Sequence, residues 1–326
     1  MNGTIKEKKP RVIPIGVGIL VFLLAFTAGV FSKFAIRPSW SKQYDIRWSD
    51  TLGTRIFDLP YGEGDSNKFD LYLPKNDAKE NYGLVIYLHA GGFTTGDKAD
   101  DEQMLSWLCS KGYVAAGINY TLQTGKNKAN VLTQSEEIKT AVPAVIREAG
   151  KAGYHIDRMA AAGGSAGHTL AMIYAYRDGQ QAPVPVVLAF GAVGPSCFRQ
   201  EDWCVYGLNQ NDAACAALFG LLAGVEITEK DIRDGSYHEK MKPISPAEWV
   251  KDNPVPTVVA YGVCDKLQPF PASKRLKAML KESGADFQYF ELPHSGHGLQ
   301  NDNAIFEQWV NAVEEYLEKY MPINEH

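Results

Sequence analysis

The stretch that most constrains this chain is AAAGGSAGH, residues 160–168, where small residues run into a Gly-x-Ser-x-Gly and leave in a helical pattern. A serine on so sharp a strand-to-helix turn has a strained backbone, and side chains at the flanking glycines would collide with the turn. The turn lifts the serine oxygen clear of a sheet, and the free amides of the next helix's first turn face it. Ser165 is thus the candidate nucleophile. Alone the pentapeptide is a modest signal, because any flexible Gly/Ser turn matches it; the strand before it and the helix after it give it weight.

From about residue 54 onward, short apolar or alternating runs interleave with longer helical patterns, with no internal repeat or low-complexity stretch. This order predicts a mostly parallel sheet covered by helices. Residues 54–59 and 68–73 (KFDLYL) read as a leading hairpin, and 84–88 and 113–119 as buried strands. Residues 159–162, 184–190, 257–261 and 287–292 bring the strands to eight. Helical spacing marks 101–110, 135–149, 166–176, 272–283 and 303–320. One segment breaks the alternation: 191–250 is far longer than a βα connection of about two to six residues. Its Trp203, Tyr206, Leu218, Phe219, Leu221 and Leu222 suit a small lid or cap over a pocket; the competing reading is an insertion with a minor core of its own.

Nucleophilic catalysis by a serine needs an oxyanion site, a base and an orienting acid. HAGGF, residues 89–93, follows the strand 84–88, where glycines would let backbone amides approach a substrate oxygen. The expected donors are the amides of Gly91, Gly92 and Ala166, with His89 bracing the loop; a plain glycine turn is the alternative. Asp265 follows the strand 257–261, so its carboxylate would emerge at the nucleophile's end of the sheet, although an aspartate there is often a cap or turn residue. For the base, HSGHGL (residues 294–299) offers two histidines. His297 is favoured because the glycines beside it let the loop fold over the serine, whereas His294, nearer the strand end, suits a bracing role.

Together these motifs resemble the α/β-hydrolase fold and, within it, the hormone-sensitive-lipase-like and related bacterial carboxylesterases. FDLYLP, YLHAGGFTTGDK, GYVAAGINYTL, HIDRMAAAGGSAG, SPAEWV and SGHG carry the resemblance, from about residue 68 to the C-terminus. It implies ester hydrolysis through an acyl-serine intermediate, with Ser165, His297 and Asp265 as the triad and no metal or organic cofactor. Two departures stand out. HAGG replaces the family's common HGGG, and His168 replaces a glycine that often follows the serine motif, where a packing or surface role is the default. Amide or peptide hydrolysis on the same triad is the rival chemistry, and a non-catalytic membrane-anchored binding protein is the rival class.

Residues 12–31 form an uncharged run of 20, long enough at about 1.5 Å per residue to cross a bilayer core of roughly 30 Å. With Lys6, Lys8, Lys9 and Arg11 before it, residues 1–11 are expected in the cytoplasm, 12–31 as an anchor, 32–53 as a linker and 54–326 as an exported catalytic domain. A cleaved signal peptide, which would release the domain, is the competing reading. The formal net charge of −5 offers no basic face for nucleic acid, so the expected partners are an ester of a small molecule or glycan and the membrane. Five cysteines lack metal-ligand spacing; Cys197 and Cys204 could pair if the domain is exported.

Overall fold

The computed structural model describes residues 44–75 and 80–323. The expected tail, the uncharged run 12–31 and most of the linker lie outside them. Among the described residues, no helix is long and apolar enough to cross a membrane.

Among the described residues, eight strands form one sheet: β1 (Gly53–Pro60), β2 (Lys68–Pro74), β3 (Tyr82–Leu88), β4 (Val114–Ile118), β5 (Ile156–Gly164), β6 (Val186–Ala192), β7 (Thr257–Gly262) and β8 (Phe287–Leu292). Their order is β1-β2-β4-β3-β5-β6-β7-β8. The β1/β2 hairpin and the β2/β4 pair are antiparallel, and every pairing from β4 through β3 to β8 is parallel. The helices are α1 (Glu102–Ser110), α2 (Val131–Lys151), α3 (Ala166–Ile173), α4 (Asp212–Ala223), α5 (Glu229–Asp234), α6 (Tyr237–Met241), α7 (Phe270–Ser283) and α8 (Asn303–Tyr320).

The sheet separates two cores. Leu84, Ile86 and Leu88 of β3 point into a core with residues of α2, α3 and α7, while Val85 points into one with α1 and α8. Helices on both faces explain a departure in β2. Its alternating KFDLYL reads as half-buried, yet every residue from Phe69 to Pro74 is buried. Asp70, on the face expected to be polar, is buried with Lys98, whose Nζ lies 3.2 Å from its carboxylate, and it also accepts the Asp58 amide at 2.8 Å. Pairing and hydrogen bonding are what make such a burial tolerable.

The 191–250 insertion contains α4, α5, α6 and several single 3-10 turns. Asn211 caps α4 through the Ala214 amide, and Thr228 caps α5 through that of Asp231, so these short helices begin where a side chain supplies the first acceptor. Phe219 is fully buried, with its ring centroid 5.8 Å from that of Phe198 and 5.5 Å from that of Trp203. Phe198, Trp203, Phe219 and Tyr237 join the same core as Leu84, Ile86 and Leu88, so the insertion packs onto the main body rather than around a core of its own, and it covers a cavity.

Candidate active site

Ser165 stands between β5 and α3 with φ 52° and ψ −120°, a region that residues with a Cβ rarely enter. Its amide donates to Ala192 O at 2.9 Å, tying the turn to β6. The flanking glycines answer to contact rather than to torsion. A Cβ on Gly167 would lie 1.9 Å from Leu88 O, and one on Gly163 would lie 2.5 Å from the carbonyl carbon of Gly167.

Asp265 and His297 reach this serine from the ends of β7 and β8, beyond the intervening β6. His297 Nε2 lies 2.8 Å from Ser165 Oγ, and Nδ1 lies 2.8 Å from Asp265 Oδ2. Asp265 is buried, and its Oδ1 accepts the amides of Leu267 at 2.7 Å and Gln268 at 3.0 Å. The histidine loop is pinned along its length. Cys264 N donates to Ser295 O at 2.9 Å, and a Cβ on Gly262 would lie 2.3 Å from Gly296 O. Ser295 Oγ donates to Asp302 at 2.6 Å and accepts the Asn301 amide at 3.0 Å.

Of the two histidines offered by HSGHGL, the structure brings His297 to the serine. His294 is exposed, and its Nδ1 lies 2.8 Å from Asp302 Oδ1, a bracing contact at the start of the same loop. His168 is buried in the first turn of α3, where its Nδ1 accepts the Gly194 amide at 3.3 Å. Burial pushes its pKa down to about 3, so the ring stays neutral and packs.

The HAGGF loop turns back on itself, with Gly91 O accepting the amides of Thr94 and Thr95 at 3.1 and 3.0 Å. Gly91 and Gly92 both have positive φ, 127° and 59°, and a Cβ on Gly91 would lie 2.0 Å from Thr95 O. His89 is buried behind the loop. Its Nδ1 lies 2.7 Å from Ala90 O, its ring stacks on Tyr120 at 4.2 Å, and Tyr120 Oη donates to His89 O at 2.9 Å. Desolvation holds the pKa of His89 below its ordinary value, which suits a neutral brace.

Gly91, Gly92, Ala166, Ser165 and His297 all line one cavity of about 560 Å³. The insertion supplies its outer wall through Phe198, Trp203, Tyr206, Leu218 and Leu222. Leu221 is exposed instead. Trp203 Nε1 donates to Cys197 O at 3.1 Å, and Tyr206 Oη donates to Leu267 O at 2.7 Å, joining the cap to the loop that follows the acid. Among the described residues, no Asp, Glu, Lys or Arg side chain lines the cavity. All five cysteines are free thiols, Cys197 and Cys204 included. Among the described residues, no cluster of three or more metal-capable side chains occurs.

Two residues of the site escaped the sequence reading. Asp302 holds the start of the histidine loop, accepting from Ser295 Oγ and the His294 amide, and nothing in the sequence but its spacing before α8 marks it. Gln268 lines the cavity and is 1% exposed. Its only signal was its position three residues after Asp265.

Residues 69–196 match the BD-FAE family, and residues 221–323 match the prolyl oligopeptidase family. Kynurenine formamidase of Salmo salar is 30% identical over 137 residues, which are 42% of this chain and 44% of that protein. Esterase LipQ of Mycobacterium tuberculosis (strain ATCC 25618 / H37Rv) is 23% identical over 266 residues, 80% of this chain and 61% of that one. The match thus spans less than half the length of the first relative and about three fifths of the second. A truncated carbohydrate esterase from gut microbiota superposes with a TM-score of 0.62 at 21% identity, covering 82% of this chain and 98% of that one. The thermophilic esterase Est2 of Thermogutta terrifontis gives 0.63 at 18% identity, covering 81% and 92%. The sheet order, the serine turn and these superpositions place the chain in the α/β-hydrolase fold, and both of these solved structures are named as esterases.

Proposed function

We propose that this protein is a serine hydrolase that cleaves neutral carboxylic esters, short-chain acyl or acetylated carbohydrate esters, through an acyl-serine intermediate. The observation that carries this reading is the run of two 2.8 Å contacts from Ser165 Oγ through His297 to Asp265, opening on an apolar cavity.

In the first half of the cycle, His297 Nε2 takes the Ser165 proton as Oγ attacks the carbonyl carbon. The amides of Gly91, Gly92 and Ala166 hold the charge that forms on the carbonyl oxygen, and each such donor contributes about 10² to 10³ in rate. His297 passes its proton to the departing alcohol, and the carbonyl re-forms as the acyl-serine ester. A water then gives its proton to His297 and attacks the acyl carbon, and the proton returns to Oγ as the acid leaves. Asp265 keeps Nδ1 protonated and stabilises the imidazolium. These steps call on no cofactor.

A cavity of about 560 Å³ suits a ligand of small-molecule size. Lacking charged side chains, it favours a neutral substrate at the reacting end. The test is turnover of nitrophenyl esters from acetyl to decanoyl and of acetylated sugars, with fluorophosphonate labelling of Ser165. We expect Ser165→Ala to lose both label and turnover, and retained turnover would refute the assignment.

Amide hydrolysis is the second reading, favoured by the 30% identity to a protein named kynurenine formamidase. Matched nitrophenyl esters and anilides separate the two chemistries. A silent binding scaffold has no physical reason to keep the triad and both glycine loops in register, and failure of Ser165 to take the fluorophosphonate would revive it. Residues 12–31 support a tether that holds the domain outside the cytoplasm. Protease accessibility of the domain in intact cells checks that placement.

A further inference from the structure

We infer that Gln268 is a specificity-determining residue that hydrogen-bonds a hydroxyl on the alcohol part of the substrate, so the preferred ester is that of a neutral polyhydroxylated alcohol. This rests on the serine-hydrolase reading above and adds the substrate class to it.

The polar side chains around the cavity are few, and most are committed. Ser165 and His297 bond each other, Trp203 Nε1 is bonded to Cys197 O, and Tyr206 Oη is bonded to Leu267 O. Gln268 differs. It is 1% exposed, it lines the cavity, and neither Oε1 nor Nε2 has a hydrogen-bond partner among the described residues. Leaving a buried amide unmet is costly, whereas an apolar side chain of similar shape would fill the same wall without that cost. A hydroxyl satisfies both carboxamide atoms at once, donating to Oε1 and accepting from Nε2.

The position of Gln268 indicates which part of the ester it meets. Its own amide donates to Asp265 Oδ1 at 3.0 Å, and Asp265 holds His297, so Gln268 belongs to the acid and histidine side of the cavity. The alcohol leaves on that side, because His297 is the group that protonates it. The opposite side belongs to Gly91 and Gly92 of the oxyanion loop. With no charge on the wall, the partner is a neutral hydroxyl rather than a phosphate or carboxylate.

A matched pair of acetates tests this: methyl 6-O-acetylglucopyranoside and cyclohexylmethyl acetate, which share a six-membered ring and a primary ester and differ in hydroxyls. The readout is the ratio of kcat/KM, sugar ester over cyclohexyl ester. In the full-length wild type the ratio is expected above one, and in Gln268→Leu it falls about tenfold, as loss of a donor and acceptor pair predicts. Gln268→Ala provides the same comparison if the leucine variant fails to fold. A wild-type ratio at or below one, or a ratio unchanged in the folded variant, overturns the assignment. Fluorophosphonate labelling and nitrophenyl acetate turnover of the wild type run alongside. If they succeed while the ratio does not move, Gln268 alone loses its role; if they fail, the serine-hydrolase reading falls and this inference with it.

Discussion

His297 meets only one oxygen of Asp265: Nδ1 lies 2.8 Å from Oδ2, while Oδ1 is held by the backbone amides of Leu267 and Gln268 at 2.7 and 3.0 Å. One oxygen fixes the loop and the other fixes the imidazole. Asp265→Asn separates these duties, since its carbonyl oxygen can still accept the two amides while its NH₂ faces Nδ1. That donor forces the tautomer with the proton on Nε2, which cannot take the Ser165 proton. We expect kcat for nitrophenyl acetate to fall by about 10³ to 10⁴ with the thermal melt nearly unchanged. In Asp265→Ala both duties are lost, and stability drops as well, by about 1–3 kcal/mol. A fall in kcat of less than tenfold in the asparagine variant would exclude Asp265 as the orienting acid.

The backbone of Ser165, at φ 52° and ψ −120°, stores strain that the surrounding turn maintains. Ser165→Ala and Ser165→Gly both lack the nucleophile but differ in a Cβ. Such a conformation costs a residue with a Cβ about 1–3 kcal/mol, and glycine gives back part of that gain through its freer unfolded chain, about 0.4–1 kcal/mol. The glycine variant is therefore expected to be more stable than the alanine variant by about 1 kcal/mol in urea unfolding. Equal midpoints and slopes for the two would show that the turn is relaxed.

The cap and the acid loop touch through Tyr206 Oη and Leu267 O at 2.7 Å, with Tyr206 also stacked on Trp203 at 5.7 Å. Tyr206→Phe keeps the stacking and deletes the bridge. A net loss of about 1 kcal/mol in cap anchoring is expected to raise KM for the larger nitrophenyl esters several-fold, with kcat within about twofold. A matching fall in kcat would instead mean that the bridge holds Asp265 and the triad in place.

Much of this was legible in the sequence because the fold repeats one rule: each chemical residue follows a strand. Ser165, Asp265 and His297 sit beyond the ends of β5, β7 and β8, and apolar runs mark these strands to within a few residues. The α2 helix begins four residues earlier than its apolar spacing suggests, because Asn130 and Thr133 form a capping box that hydrophobic periodicity does not register. The helix after Ser165 keeps regular spacing only to Ile173, then widens into a π turn from Tyr174 to Asp178. The cap was legible as an insertion but not as a shape, since its short helices are fixed by side-chain caps and aromatic contacts. Gln268 and Asp302 could not be singled out, because their importance arises from what surrounds them in space.

His168 makes the interior of the serine turn sensitive to acid. Its ring is buried at the start of α3, and burial lowers its pKa from 6.5 to about 3. Between those values the unfolded chain binds a proton that the folded chain refuses, so stability is fully present above pH 6.5 and is lost as pH falls toward 3. From pH 7 to pH 4.5 this one residue accounts for about 2–3 kcal/mol of lost stability. His168→Gln can keep an acceptor for the Gly194 amide and carries no titrating group. Urea unfolding at pH 7 and pH 4.5 should show the variant losing less stability across that interval than the wild type, by about 2–3 kcal/mol. Identical losses would mean that the folded protein takes up the proton as readily as the unfolded chain, and that the packing under Ser165 is more open than its contacts indicate.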